Sequence, residues 1–277
     1  LTDLPESDWG SDKSAVSNAL GASNAILFLL NDEDEYENPD LWALMDAGVN
    51  GQDLLATEVF PEGSSEYMQS THRDATYEEV LHFIHGYGIQ LAEPALQDAI
   101  ITAMDIAIQN QIYSPLWDLP EEDYDEEYLA MGLECYFGIW AHNPNGNGYS
   151  GDHEYGFITR ADMAQGDPDL FAIISGFFGE TWKYTAVLPP DYNSQFSMSL
   201  DASQEYTFRS QYLNNLSATG DSDISILGNL YANMLHGNDG NNSITGFAEN
   251  DTIFGHGGID RAIFQGNWEE YFIQPID

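Results

Sequence analysis

Apolar residues follow two rhythms along this chain, and the change of rhythm divides it. Up to about residue 190 they mostly recur every three or four positions, the spacing of helices that bury one face. Leu96, Ala99, Ile100, Ala103, Met104 and Ala107 make one such face, opened by Glu93-Pro94 and predicted to run to about Gln109. Leu41, Trp42, Leu44 and Met45 make a shorter one behind Asn38-Pro39, closed near Gly48. Leu170, Phe171, Ile174 and Phe177 make another behind Asp167-Pro168. Proline suits the first helical position because its missing N–H would be unpaired there anyway. Val80, Leu81 and Ile84 predict a short helix within residues 74–88, with Thr76 able to cap it and Gly86 or Gly88 to end it. A further helix is predicted from about Tyr124 to Trp140, its acids crowded into the first turns and its aromatics into the last. Ala25–Leu30 reads as a buried strand, Leu54–Phe60 as a second and Trp182–Leu188 as a third. Residues 1–24 read as an irregular polar arm, residues 142–153 as a Gly/Asn-rich loop, and Pro189-Pro190 closes this first region.

After residue 219 the period becomes nine. Gly228, Gly237, Gly246 and Gly255 open successive segments, Asn233, Asn242, Asp251 and Asp260 take the sixth place, and Leu235, Ile244, Ile253 and Ala262 take the eighth. Glycines permit tight turns, acids and backbone carbonyls suit calcium, and an aliphatic residue once per segment suits a narrow core between two sheets. The segments resemble the RTX, or haemolysin-type, calcium-binding repeat, G-G-x-G-x-D-x-U-x. Phe247 and Glu249 stand where that pattern has glycine, and Asn233 and Asn242 where it has aspartate. The resemblance implies a parallel β-roll with calcium held around Asp239, Asn242, Asp251 and Asp260 and the turns at Gly237, Gly255 and Gly257. The expected fold class is therefore α+β: a mainly helical domain with a small sheet over residues 1–192, a bridging segment over 193–218, and a C-terminal parallel β-roll over 219–277.

Composition narrows the partners. The chain has 277 residues and a net charge of −41, which argues against nucleic acid and anionic membranes as partners. Such a surface suits a saline medium or the binding of many divalent cations. The single cysteine, Cys135, excludes an intrachain disulfide and lies in an apolar run, where a buried inert thiol is expected. The longest early apolar run, Ala25–Leu30, is too short to insert in a membrane. No basic segment followed by an apolar one opens the chain. Proteins with RTX repeats typically leave bacteria by type I secretion, so the resemblance implies an extracellular protein. The pattern identifies no self-complementary patch and leaves the oligomeric state open.

The candidate chemistry lies in Glu78-Glu79-Val80-Leu81-His82. Residues four apart on a helix share a face, so Glu78 and His82 can grip one metal ion, while Glu79 beside them can take a proton from water activated there. The usual spelling of this site is H-E-x-x-H, and here a carboxylate replaces the first histidine. Thr76-x-x-Glu79 is equally a capping box. Such a site needs a third ligand from a second helix, for which Glu126, Glu127 and Glu134 are available. The tract from Glu127-Tyr128-Leu129-Ala130 to Tyr136-Phe137 is similar to the E-[FY]-x-A-x-x-[FL]-x-x-Y-F helix of zincin metallopeptidases like the catalytic domain of anthrax lethal factor. Thr159–Met163 and Asp167–Phe171 also resemble a tract of zincin-like domains, so that the likeness spans roughly residues 70–180. It implies a zincin-like domain, Glu127 as the third zinc ligand, and a protein or peptide substrate. His85, His72 and Glu134 remain alternative ligands, and Arg160 can bind a substrate carboxylate or pair with one of the many acids. Two carboxylates bring more negative charge to the metal than the usual set and suit harder ions as well as zinc. The expected function is a secreted metal-dependent peptidase with zinc, or another divalent metal, and calcium. The alternative is a non-catalytic calcium-binding surface or adhesion protein on a zincin-derived scaffold.

Overall fold

The computed structural model describes residues 13–59, 75–116, 119–138, 154–199, 212–270 and 272. The chain divides into two units, Leu1–Glu180 and Thr181–Asp277.

The first unit opens on a helix, α1 (Lys13–Ser23), where the sequence suggested an irregular arm. It is held by few residues: Val16 is fully buried, and the Lys13 ammonium sits 3.7 Å above the Phe177 ring. That is too little apolar surface to leave a periodic signal. Strand β1 (Ile26–Leu30) pairs in parallel with β2 (Gly51–Leu55), and α2 (Pro39–Asp46) connects them, its start capped by Asn38 accepting from the Asp40 N–H. The sequence placed β1 in a core, yet Leu29 is 73% exposed, because a two-stranded sheet covers little of its own face. The second strand lies earlier than expected, since the chain leaves β2 for a 3-10 turn at Ala56–Glu58. Gly51 is obligatory here: a Cβ on it would lie 2.3 Å from the Ile26 carbonyl oxygen.

Helix α3 (Thr76–Ile84) does not stop at the glycines that follow. It widens into a π turn, His85–Ile89, and continues as a last α-helical turn, Gln90–Ala92. Ala75 holds the N-cap position without a side-chain cap, so Thr76 is the first helical residue rather than the cap. Gly86 and Gly88 serve packing instead of termination. A Cβ at Gly88 would come within 2.9 Å of Val16 on α1, and one at Gly86 would come within 3.0 Å of the Glu126 carboxylate. A π turn inserts one extra residue and re-aims the side chains beside it, and such turns recur at functional sites.

Helix α4 (Pro94–Gln109) buries Leu96, Ile100, Ala103, Met104 and Ala107, the face its periodicity predicted. Helix α5 (Tyr124–Tyr136) is the centre of the unit, with every residue from Tyr128 to Tyr136 buried. Gly132 lets α7 come close, since a Cβ there would meet Leu170 Cδ2 at 2.3 Å. Helices α6 (Arg160–Gly166) and α7 (Pro168–Phe178) start at Thr159 and Asp167, each accepting from a backbone N–H of the first turn. Asp167 also accepts from the hydroxyls of Tyr128 at 2.7 Å and Tyr155 at 3.0 Å, pinning α5 to α7. Cys135 is fully buried, and burial pushes its thiol pKa far up, which leaves it unreactive.

The second unit is a parallel β-roll of two four-stranded sheets. One sheet runs β3 (Trp182–Leu188), β5 (Leu213–Ala218), β7 (Met234–His236), β9 (Thr252–Phe254). The other runs β4 (Gln195–Ser197), β6 (Ser225–Leu227), β8 (Ser243–Thr245), β10 (Arg261–Ala262). The eighth-place residues alternate between the sheets, Leu235 and Ile253 in one and Ile226, Ile244 and Ala262 in the other; Leu216 on β5 is in register with the first set and Phe196 on β4 with the second. Leu216, Leu235, Phe196 and Ile226 are fully buried and Ile244 nearly so, a thin core as the repeat implied. The roll reaches further back than its repeats. Strand β3, read from sequence as part of the helical region, and β4 and β5, read as a bridge, are coils of the roll without the glycine pattern. Parallel pairing with later strands, not local sequence, recruits them.

Candidate metal centre

Glu78 and His82 stand one turn apart on α3 and face the first turn of α5, which presents Glu127. One ligand atom from each of the three lies within 4.8 Å of the other two. Glu78 and His82 are buried, 5% and 7% exposed, and Glu127 is half-buried. The His82 Nε2 lies 3.8 Å from Glu127 Oε1 and has no hydrogen-bond partner among the described residues, although it is buried. Its Nδ1 lies 3.7 Å from Glu79 Oε2, an ion-pair rather than a hydrogen-bond distance. Burial opposes protonation of His82, but the carboxylates of Glu79, Glu127 and Glu126 outweigh it and hold the imidazole pKa above the ordinary histidine value. An orphaned buried nitrogen facing two carboxylates is a donor set that fits a divalent metal, with a cation in place of the proton.

Around this group lies a ring of carboxyls. Burial pushes Glu126 up to about 7; His82 pulls the other way, and Asp125, Asp123 and Glu127 add to the rise. Gln90 Nε2 donates to Glu126 Oε1 at 3.2 Å. Gln52 on β2 donates to Glu79 Oε2 at 2.6 Å, and the Tyr87 hydroxyl donates to the Gly51 carbonyl, so the small sheet is tied to α3 at the site. No sequence signal marked Gln52; only the packing of β2 on α3 brings it there.

The remaining candidates stand elsewhere. His85 is turned by the π turn toward Gln97, with 2.7 Å between Nε2 and Oε1, and toward Asp125 at 3.8 Å; it is outside the three-residue group. Glu134 is buried two turns along α5 from Glu127 and is also outside the group. His72 falls outside the described residues. Arg160 is a packing residue: Nε donates to the Tyr136 carbonyl at 2.7 Å, a terminal nitrogen donates to the Glu180 carbonyl at 3.0 Å, and the guanidinium lies 3.7 Å over the Tyr136 ring. Nine residues of helix separate Tyr136 from Glu127, about 14 Å, so these contacts hold Arg160 at the far end of α5 from the metal ligands.

In the roll, the sixth-place side chain folds over the glycine that opens its own segment. A Cβ at Gly246 would lie 1.9 Å from Asp251 Oδ2, one at Gly255 2.2 Å from Asp260 Oδ2, and one at Gly237 2.1 Å from Asn242 Oδ1. That closeness is the physical reason for the recurring glycine. Each sixth-place acid also accepts from a backbone N–H one coil earlier, Asp251 from Asn233 at 3.0 Å and Asp260 from Asn242 at 2.9 Å. The turns at 219–224, 237–242 and 255–260 stack on one another through Asp239 N–H to the Gly220 carbonyl, Asn241 N–H to Asp223 and Ile259 N–H to Asn241. This edge gathers Asp221, Asp223, Asp239 and Asp260, with Gly257 against Asp239, an oxygen-rich lining that fits calcium. The turns 228–233 and 246–251 offer fewer acids, Glu249 and Asp251. Asn242 uses its Oδ1 on the Asn238 N–H at 2.8 Å and its Nδ2 on Asn238 Oδ1, as Asn233 does with Asn229, so amides close these turns. Phe247 and Glu249, standing at glycine places, adopt the left-handed backbone a glycine would take, with φ of 78° and 64°.

Residues 227–262 match the family model of the RTX calcium-binding nonapeptide repeat, in four copies. No curated protein and no solved structure matches the chain. Among the described residues, no helix is long and apolar enough to cross a membrane.

Proposed function

We propose that the first unit is a metal-dependent peptidase domain of zincin type, exported together with a calcium-stabilised RTX module. The observation that carries this reading is the convergence of Glu78, His82 and Glu127 around an orphaned buried imidazole nitrogen. When bound there, a divalent metal supplies Lewis-acid activation of water. Glu78, His82 and Glu127 would hold it. Glu79 would act as general base: Gln52 occupies its Oε2, leaving Oε1 to accept the proton from the attacking water. Glu79 also stands beside His82 Nδ1 and would keep that ring turned so that Nε2 faces Glu127. The substrate class is protein or peptide. Zinc is the proposed metal, and the second carboxylate also suits a harder divalent ion such as manganese. Export by a type I system is part of the proposal and is supported by the RTX repeats.

Metal analysis of protein purified without added zinc, combined with casein hydrolysis by the wild type and the Glu79→Gln variant, tests the reading. One tightly held transition metal per chain, retained by the variant while proteolysis is lost, is the expected result. Metal lost together with activity would make Glu79 an orienter of His82 and not the base. Calcium alone, with no proteolysis in the wild type, would leave a non-catalytic calcium-binding surface or adhesion protein.

A further inference from the structure

Three side chains behind the metal centre form a hydrogen-bonded chain that the ligand set does not use. His85 opens the π turn three residues after His82, Gln97 lies in the first turn of α4, and Asp125 lies two residues before Glu127 on α5. His85 Nε2 stands 2.7 Å from Gln97 Oε1, and Gln97 Nε2 donates to Asp125 Oδ2. An amide oxygen only accepts, so the His85 Nε2 carries the hydrogen. Burial holds the imidazole pKa below the ordinary histidine value, against the pull of Gln97 and Asp125, so the ring is neutral and its Nδ1 is bare. His85 is fully buried, and that Nδ1 has no hydrogen-bond partner among the described residues. A buried imidazole with one nitrogen unbonded costs stability that a leucine would not. Packing therefore does not account for a histidine at this place; the bond to Gln97 does.

We propose that Gln97 is a positioning residue for the metal centre, bridging the helix of His82 to the helix of Glu127 through His85 and Asp125. The proposal rests on the metal-dependent reading above. His85 Nε2 and Asp125 Oδ2 stand 3.8 Å apart, too far for a direct hydrogen bond, and the Gln97 amide closes that gap with one bond to each. The chain thereby sets the end of α3 against the start of α5. Glu78 and His82 come from one of these helices and Glu127 from the other, and their ligand atoms must stay within 4.8 Å of one another. A slide of one helix along the other would part them. With the register held in advance, an ion does not have to order two helices when it binds.

The test is titration of the full chain with Co²⁺ in saturating calcium, read by visible absorption, with His82→Gln as the blank for cobalt held elsewhere. Gln97→Leu and His85→Leu should each lower cobalt affinity about tenfold or more, the range for residues that orient metal ligands. The double variant should lose no more than the larger single loss, because both substitutions break one chain. His85→Gln puts an amide N–H near the place of Nε2 and should stay within about threefold of the wild type, whereas a mere packing role would be served as well by leucine as by glutamine. Wild-type affinity in Gln97→Leu would overturn the inference and leave the metal centre standing. A wild type that binds no more cobalt than the blank would overturn both. One measurement on the unsubstituted chain does not depend on any variant folding: nitrogen NMR shifts of ¹⁵N-labelled histidine should show His85 as the Nε2–H tautomer. The Nδ1–H tautomer would refute the bridge.

Discussion

Asp167 is the pin between the helix that carries Glu127 and the helix that packs behind it, and replacing it by alanine should show how much that pin contributes. Its carboxylate is 4% exposed and accepts from Tyr128, the residue after Glu127, from Tyr155, and from the Leu170 N–H as the cap of α7. Alanine leaves two buried phenol hydroxyls without this acceptor and one helix without its cap. A hydrogen bond to a charged group contributes about 1.5–3 kcal/mol and a helix cap about 1 kcal/mol. Allowing for partial relaxation and for the carboxylate's own burial cost, the loss should be about 4 kcal/mol. In a unit of this size that lowers the melting temperature by roughly 10 °C. Asp167→Asn keeps an oxygen facing both hydroxyls and should cost less than about 1.5 kcal/mol. The pH dependence separates the two variants further. Burial raises the Asp167 pKa above the ordinary aspartate value, and the hydrogen bonds from Tyr128, Tyr155 and Leu170 only partly offset it. With a raised folded-state pKa, the carboxyl contributes stability that is present below the ordinary value, about pH 4, and fades as the pH rises through the folded-state value. Asparagine lacks that titration, so Asp167→Asn should gain on the wild type as the pH rises above about 4. Urea denaturation followed by near-ultraviolet circular dichroism measures all three proteins. An alanine variant within about 1 kcal/mol of the wild type would mean that water replaces the carboxylate and that the pin is not structural.

Glu78→His restores the familiar two-histidine ligand set with one less negative charge, and should tighten zinc binding as read by competition with a chromophoric chelator; a large loss of zinc would show a pocket shaped for a carboxylate. Removing calcium with EGTA should unfold the acidic edge of the roll, because Asp221, Asp223, Asp239 and Asp260 then face one another over a thin core, while the helical unit stays folded; equal protease resistance of the C-terminal region with and without EGTA would contradict this. Gly246→Ala puts a methyl group 1.9 Å from Asp251 Oδ2 and should raise the calcium needed for half-folding by more than tenfold; an unchanged midpoint by circular dichroism would mean that the acid can swing away at no cost.

Much of this molecule was legible in its sequence, for two physical reasons. A nine-residue period with glycine first and an aliphatic eighth describes a roll almost completely, because each coil repeats the same contacts one layer up. The alternation of Leu235, Ile244 and Ile253 between the sheets follows directly. Helices α4 and α7 were equally plain, since each hides one face behind a leading proline; α2 was legible from Asn38-Pro39 alone, for its apolar residues Trp42, Leu44 and Met45 are exposed and none of its residues is buried. The pairing of Glu78 with His82 is local geometry along one helix, and their spacing alone places both on one face. What depends on contacts between distant segments was not legible. Glycines at 86 and 88 look like a helix end, and only the crowding of Glu126 and Val16 against them reveals a π turn that carries the helix on. Strands β3, β4 and β5 carry no repeat and join the roll only because parallel partners downstream offer them backbone hydrogen bonds. In sequence Arg160 can equally bind a substrate carboxylate or pair with an acid, and only the fold sets it on the Tyr136 ring and carbonyl. Gln52 is silent in sequence because its role is conferred by the helix it meets. Spacing within one element is a property of the chain, whereas the meeting of α3, α5 and β2 around His82 is a property of packing, and that meeting was decided only by the tertiary structure.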